Sequence, residues 1–131
     1  MEHQLSKKDQ QWNAMWDLWV RGAVPPAYDA LMRYYSEVNN GGHCQYFTNT
    51  ETICDMQEEI GAMAAIFPEN LKENLYRAYG AYRILEDAGY DEDSEDRRKA
   101  LEIDSQCDDV FYENEKVFDQ ILEAFASTIE L

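Results

Sequence analysis

From Trp12 to Ile129 the apolar residues recur three and four positions apart, and no stretch of useful length alternates apolar with polar. That period lines side chains along one face of an α-helix, whereas a strand needs a period of two. The chain is thereby restricted to an all-α fold, and turn chemistry cuts the pattern into pieces. Ser6, with Asp9 three residues on, reads as the cap of a first helix. Trp12, Met15, Trp16, Trp19 and Ala23 share one face of it, and Gly22 ends it. Pro25-Pro26 introduces a second helix from Pro26, since proline suits a first turn. Its stripe is Tyr28, Leu31, Met32, Tyr35 and Val38, and it stops at Gly41-Gly42. Thr50 or Thr52 caps a third helix with Ile53, Met56, Ile60, Met63, Ala64 and Phe67 inward. Gly61, costly inside a helix, implies close helix contact there. A fourth helix runs from Pro68 to Gly89, with Leu71, Leu75, Ala78, Tyr79, Tyr82 and Leu85 inward. An acidic loop, Asp91 to Asp96, leads to a short helix through about Asp104. A last helix runs from about Gln106 towards Ile129, with Val110, Phe111, Val117, Phe118, Ile121, Leu122, Phe125 and Ile129 on its apolar side. The expectation is an all-α, single-domain helical bundle of five to six helices over residues 1–131, frayed from Met1 to Leu5.

With 131 residues, 45% hydrophobic and 13% aromatic, the chain suits one domain with an ample core. About two thirds of the unfolded surface can be buried at this length, so neither a disulfide nor a metal is needed as a staple. Cys44, Cys54 and Cys107 are too few and too irregular for a disulfide framework. The start shows no basic region followed by an apolar run, and no run of about 18 apolar residues occurs anywhere. A reduced cytoplasm is the expected compartment, with no membrane partner.

The net charge is −16, from 27 acidic and 11 basic residues. Phosphates would be repelled, so direct binding of nucleic acid or anionic membrane is excluded. Solubility or a basic partner remains. Residues 86–131 hold 16 acidic and 4 basic residues, hence net −12 in about a third of the chain. Such asymmetry suggests an acidic face. Carboxylates three or four apart on a helix lie about 5–6 Å apart. Asp109, Glu113, Asp119 and Glu123 could then form a row that imitates a phosphate backbone, which carries one charge per about 3.4 Å of axis per strand. The bland alternative is a solvated helix face. Glu58 and Glu59 could likewise reach a cleft or lie on a solvated face.

No catalytic or metal constellation stands out. His3 and His43 fall in mobile or turn positions, and His43 beside Cys44 lacks the contact geometry of a nucleophile and its base. His43, Cys44 and Cys54 lack the paired spacing of zinc sites. No Glu-x-x-His pair, phosphate loop or dinucleotide fingerprint occurs. No cofactor and no metal are expected, and no enzyme.

The distinctive stretch is Asn39 to Thr50, where two glycines follow two asparagines and an aromatic pair, Tyr46-Phe47, is flanked by the amides Gln45 and Asn49. It reads either as a structural corner with a plugged core or as a ligand site. Asn40-Gly41-Gly42-x-x-Gln45-Tyr46-Phe47-x-Asn49, with Glu37 three residues earlier, resembles the signature of a bacterial all-helical family described as DNA-mimic proteins, formerly a domain of unknown function. Ile60-Gly61-Ala62 resembles its next helix, and Asp108-Asp109 with Phe111-Tyr112 its last helix more loosely. The similarity covers roughly residues 26–130. His43-Cys44 and Thr48 depart from the commonest pattern, where more apolar residues are frequent.

The resemblance implies an acidic helical protein that binds a DNA-binding regulator and competes with DNA, often as a homodimer. Glu37, Asn40, Gly41, Gly42, Gln45, Tyr46, Phe47 and Asn49 would hold the fold. The partner contacts expected from the charge pattern are Asp91, Glu92, Asp93, Glu95, Asp96, Asp109, Glu113, Asp119 and Glu123. One alternative is an immunity protein neutralising a basic toxin with the same acids. The other is a small-ligand site or enzyme at the Asn40–Asn49 corner, in a pocket lined by Gln45, Tyr46 and Asn49.

Overall fold

One long helix gathers the rest of the chain around it. The computed structural model describes residues 5–89 and 93–131. Among them lie α1 (Lys7–Val20), α2 (Pro26–Thr50), α3 (Met56–Ala64), α4 (Glu69–Ala88), α5 (Glu95–Glu113) and α6 (Glu115–Ala126), and no strand. α2 touches α3, α4, α5 and α6, while α1 packs on α6 and α4 on α5. Asn74 donates to the Cys107 carbonyl (3.1 Å) and Arg77 to Gln106 Oε1 (2.6 Å), so α4 and α5 run antiparallel. Among the described residues the bundle has six helices in a single all-α domain, within the five to six that the apolar period implies.

The core centres on Tyr34, which is fully buried and which the α2 stripe read from sequence omitted. Its ring meets Tyr46 edge-on at 5.1 Å and Phe111 at 5.4 Å, and Phe111 stacks on Phe118 at 4.9 Å. Phe47, also fully buried, packs on Tyr82 at 5.2 Å. Burying a large apolar side chain contributes about 1.5–3 kcal/mol. This cluster, drawn from α2, α4, α5 and α6, therefore supplies far more than any one polar contact. Met15 is buried from α1, and the three tryptophans are half-buried in an edge-to-face ladder.

Several sequence expectations shift. α2 does not end at the glycines. The backbone leaves helical geometry at Gly41 (φ −159°, ψ 19°) and Gly42 (φ 81°, ψ −179°), then resumes a helix through Thr50. Tyr46 and Phe47 therefore sit on a helix beyond a kink rather than in an irregular corner. α3 is capped by Asp55, whose carboxylate accepts from Gln57 N (3.0 Å) and Glu58 N (3.2 Å), and not by Thr50 or Thr52. An aspartate can satisfy two orphan amides of the first turn, which a threonine hydroxyl further back cannot reach. Ile53 lies before the helix and is exposed. Gly61 is exposed, with no atom within 4 Å of where a Cβ would stand, so close helix contact does not explain it.

The largest correction concerns the acidic third. α5 is one 19-residue helix, and the break falls at Asn114 rather than near Ser105. Asn114 (φ −116°, ψ 16°) turns its side-chain amide back onto the Val110 carbonyl (2.7 Å) and closes α5. Asp109 and Glu113 therefore lie on a different helix from Asp119 and Glu123, and the four do not form one row. Glu95 and Asp96 occupy the first turn of α5 instead of a loop, with the Ser94 hydroxyl accepting from Arg97 N (3.2 Å). The expectations for Met1 to Gln4, His3 included, and for Asp91 and Glu92 fall outside the described residues.

Candidate functional site

Two groups of polar residues are candidates: the α2 kink, and the outer face of α5. The kink depends on Gly42, whose φ and ψ lie in a region that is essentially glycine-only. A Cβ there would also stand 2.6 Å from Asp108 Oδ2. That space lets the Asp108 carboxylate reach in from α5. Its Oδ1 accepts from the His43 backbone N–H (2.9 Å) and lies 2.6 Å from His43 Nδ1. His43 Nε2 lies 2.7 Å from the Tyr34 hydroxyl. One proton assignment satisfies every group: Nδ1–H donates to Asp108 and Tyr34 O–H donates to Nε2. His43 is fully buried, contrary to the mobile or turn position read from sequence. Burial, with the Cys107 and Asp108 groups as lesser causes, raises the Tyr34 pKa well above its ordinary value.

On the outer side of the kink, Glu37 Oε2 accepts from Gln45 Nε2 and from Asn49 Nδ2, each at 3.0 Å. One carboxylate thus straps the two halves of α2 together. Gln45 folds over Gly41, where a Cβ would stand 1.9 Å from its Oε1. Below, Tyr46 donates to Glu59, and Arg33 pairs with Glu59 and Asp29. Burial opposes the Arg33 charge, but the two carboxylates outweigh it and raise its pKa. Glu59 is buried, while Glu58 beside it is exposed.

The expected pocket lined by Gln45, Tyr46 and Asn49 is not formed: Tyr46 is fully buried and both amides are spent on Glu37. A groove of about 400 Å³ opens instead on the flank, between Cys44, Thr48, Tyr82, Leu85, Arg97 and Leu101. Burial and the neighbouring Asp104 push the Cys44 thiol up to about 12, so it stays protonated and is a poor nucleophile. Among the described residues no group of three or more ligand-type side chains is placed to hold a metal ion.

The outer face of α5 is different in kind. At 3.6 residues per turn, Glu95, Glu102, Asp109 and Glu113 fall within about 40° of one another around the helix, and seven residues rise about 10.5 Å. All four are exposed. Lys99 reaches Glu95 at 3.5 Å, an exposed pair of little energetic weight. Among the described residues no cation lies within ion-pair distance of Glu102, Asp109 or Glu113. A break near Ser105 separates Glu102 from Asp109 and Glu113, so the sequence pattern does not group them; an unbroken α5 puts Glu102 midway along the row. Asp93 and Asp96 are exposed at the N-terminal end. Asp119 instead accepts from the Tyr35 hydroxyl (2.8 Å), and Glu123 faces Lys8 at 3.5 Å.

Residues 26–130, from the first turn of α2 past the end of α6, match the family described as DMP19-like protein. The chain belongs to the DMP19-like protein family. Neither a curated protein nor a solved structure matches it. Within this DMP19-like chain the matched region contains both the α2 kink and the acidic face of α5, whereas α1 precedes it. No helix among the described residues is long and apolar enough to cross a membrane.

Proposed function

We propose that this protein is a non-enzymatic, acidic binding protein that mimics DNA and occupies the DNA-binding surface of a basic cytoplasmic regulator. The observation that carries this reading is the row Glu95, Glu102, Asp109 and Glu113 on one uninterrupted helix, with no cation among the described residues within ion-pair distance of the last three, in a chain of net charge −16. A basic groove that docks on this face exchanges its small counterions for fixed carboxylates, as it does when it takes up DNA. DNA itself is repelled by the same charge, so binding the mimic and binding DNA are mutually exclusive. Asp93 and Asp96 extend the face at its N-terminal end. Asp119 and Glu123 lie on α6, engaged with Tyr35 and Lys8, and stand outside this row.

The test is capture from a nuclease-treated lysate of the source organism with the tagged chain, followed by elution with salt or with DNA. A DNA-binding protein is retained, is displaced by its operator and shows an affinity that falls steeply with salt. Reversing Glu102, Asp109 and Glu113 to lysine places like charges against the partner and lowers affinity more than about a hundredfold. Unchanged affinity and salt slope in that variant would remove α5 from the interface. Retention of a basic toxin, undisplaced by DNA, would replace mimicry with immunity.

A further inference from the structure

Asp108 and Asp109 are neighbours of identical charge, yet they point about 100° apart around α5 and meet different surroundings. Asp109 stands in the outer row of α5. Asp108 is turned onto the α2 kink, where its side chain is 24% exposed and holds both the amide and the ring of His43. α5 buries only Ala100, Cys107 and Phe111 fully, and apolar contact of that extent is tolerant of a small roll or slide. Directional bonds are not tolerant. They gather on one short segment: Arg77 to Gln106, Asn74 to the Cys107 carbonyl, His43 to Asp108, and the Tyr112 hydroxyl to the Val38 carbonyl (3.1 Å). The Asp108 carboxylate reaches a fully buried partner and takes two bonds from it, to the ring and to the amide of His43. Tyr34 holds the far side of the ring, and Phe47 and Phe111 flank it.

We propose that Tyr34, His43 and Asp108 are positioning residues for the acidic face: they fix the register of α5 against the α2 kink and so keep Asp109 and Glu113 outward. This rests on the proposed binding role of that face. Asp108 thereby leaves the set of contact residues, although its sequence neighbourhood is that of the contacts. Gly42 is the permissive member, since any side chain there would occupy the space of the Asp108 carboxylate.

Two substitutions separate position from charge. Asp108→Asn and Asp108→Ala each remove one negative charge, but the asparagine oxygen can still accept from both His43 donors. Amide exchange is measured residue by residue, together with the His43 Nδ1–H proton resonance. Asp108→Ala is expected to speed exchange over residues 104–113 more than tenfold, with α3 unchanged, and to abolish the imidazole resonance. Asp108→Asn is expected to hold exchange within about threefold and to keep the resonance. Equal behaviour of the two variants would overturn the assignment. If Asp108→Ala does not fold, Tyr34→Phe removes only the inner bond to His43 Nε2, and unchanged exchange over 104–113 would equally overturn it. Binding is read separately, with the DNA-displaceable protein retained by the wild-type chain as the probe, and dissociation is expected to quicken in Asp108→Ala alone. If the wild-type chain retains no such protein, the binding role fails, while the exchange comparison still decides whether Asp108 sets the register.

Discussion

Two regions of this molecule use the same functional group to opposite ends. At the α2 kink and beneath it, Glu37, Glu59 and Asp108 each accept hydrogen bonds from at least two donors within the chain. Along α5, Glu102, Asp109 and Glu113 face water. The division runs through adjacent residues: Glu59 inward and Glu58 outward, Asp108 inward and Asp109 outward. A carboxylate removed from water must recover its lost hydration from fixed donors, and one left in water need not. Counting acids in the sequence merges the two populations. Only the outward one lies open to solvent, so the charge that the proposed partner would meet is smaller and better ordered than −16 implies.

The inward population should prove fragile and the outward one indifferent to folding. The largest effect is expected for Arg33→Leu, which leaves the buried Glu59 without its cation; loss of one partner of such a pair costs about 3–5 kcal/mol and would be read from urea unfolding. Glu58→Gln and Asp109→Asn, measured alongside, should leave the midpoint unmoved. Gly42→Ala comes next, at about 1–3 kcal/mol for the disallowed backbone alone, and it should also loosen residues 104–113 by driving Asp108 away. The smallest effect belongs to Asp104, which stands between the two populations: it is half-buried, and its Oδ1 has no hydrogen-bond partner among the described residues. Burial first, and then the Asp108 charge, raise its pKa. A raised folded value means that the native state holds the proton more tightly than the unfolded chain. Its contribution is therefore favourable in acid and is lost as pH rises through the raised value. At pH 7 the ionised form costs stability, so Asp104→Asn should raise the unfolding midpoint there. That gain should fade as pH falls into and below the ordinary carboxylate range. A gain independent of pH would mean that ionisation is not the cause.

Most of the architecture was legible in the apolar period, because helix faces are written locally. Ser6 as a cap and Gly89 as a stop were equally local, and both hold. The failures share a cause. Whether Gly42 ends α2 or bends it depends on Asp108, 66 residues away in the sequence. The burial of His43 depends on Tyr34 and Asp108, and nothing in its immediate neighbours Gly42 and Cys44 announces it. The division near Ser105 came from a run of polar residues that α5 carries on its outer face. Polar residues there say nothing against a helix. Of the contacts expected for the acidic face, Asp109 and Glu113 fell together only with Glu95 and Glu102. That grouping becomes visible once residues 95–113 are read as one helix.

The Gln11 side chain donates to the carbonyls of Ser127 (3.1 Å) and Ile129 (3.0 Å), joining residues 116 and 118 positions apart. Closing so long a loop sacrifices chain entropy before it returns any contact energy. In folding, such a clasp forms after the shorter-range pairings of α2 with α3 and α4 with α5. The first helix therefore behaves as a latecomer to its own bundle, docking on a surface that the matched region has already built.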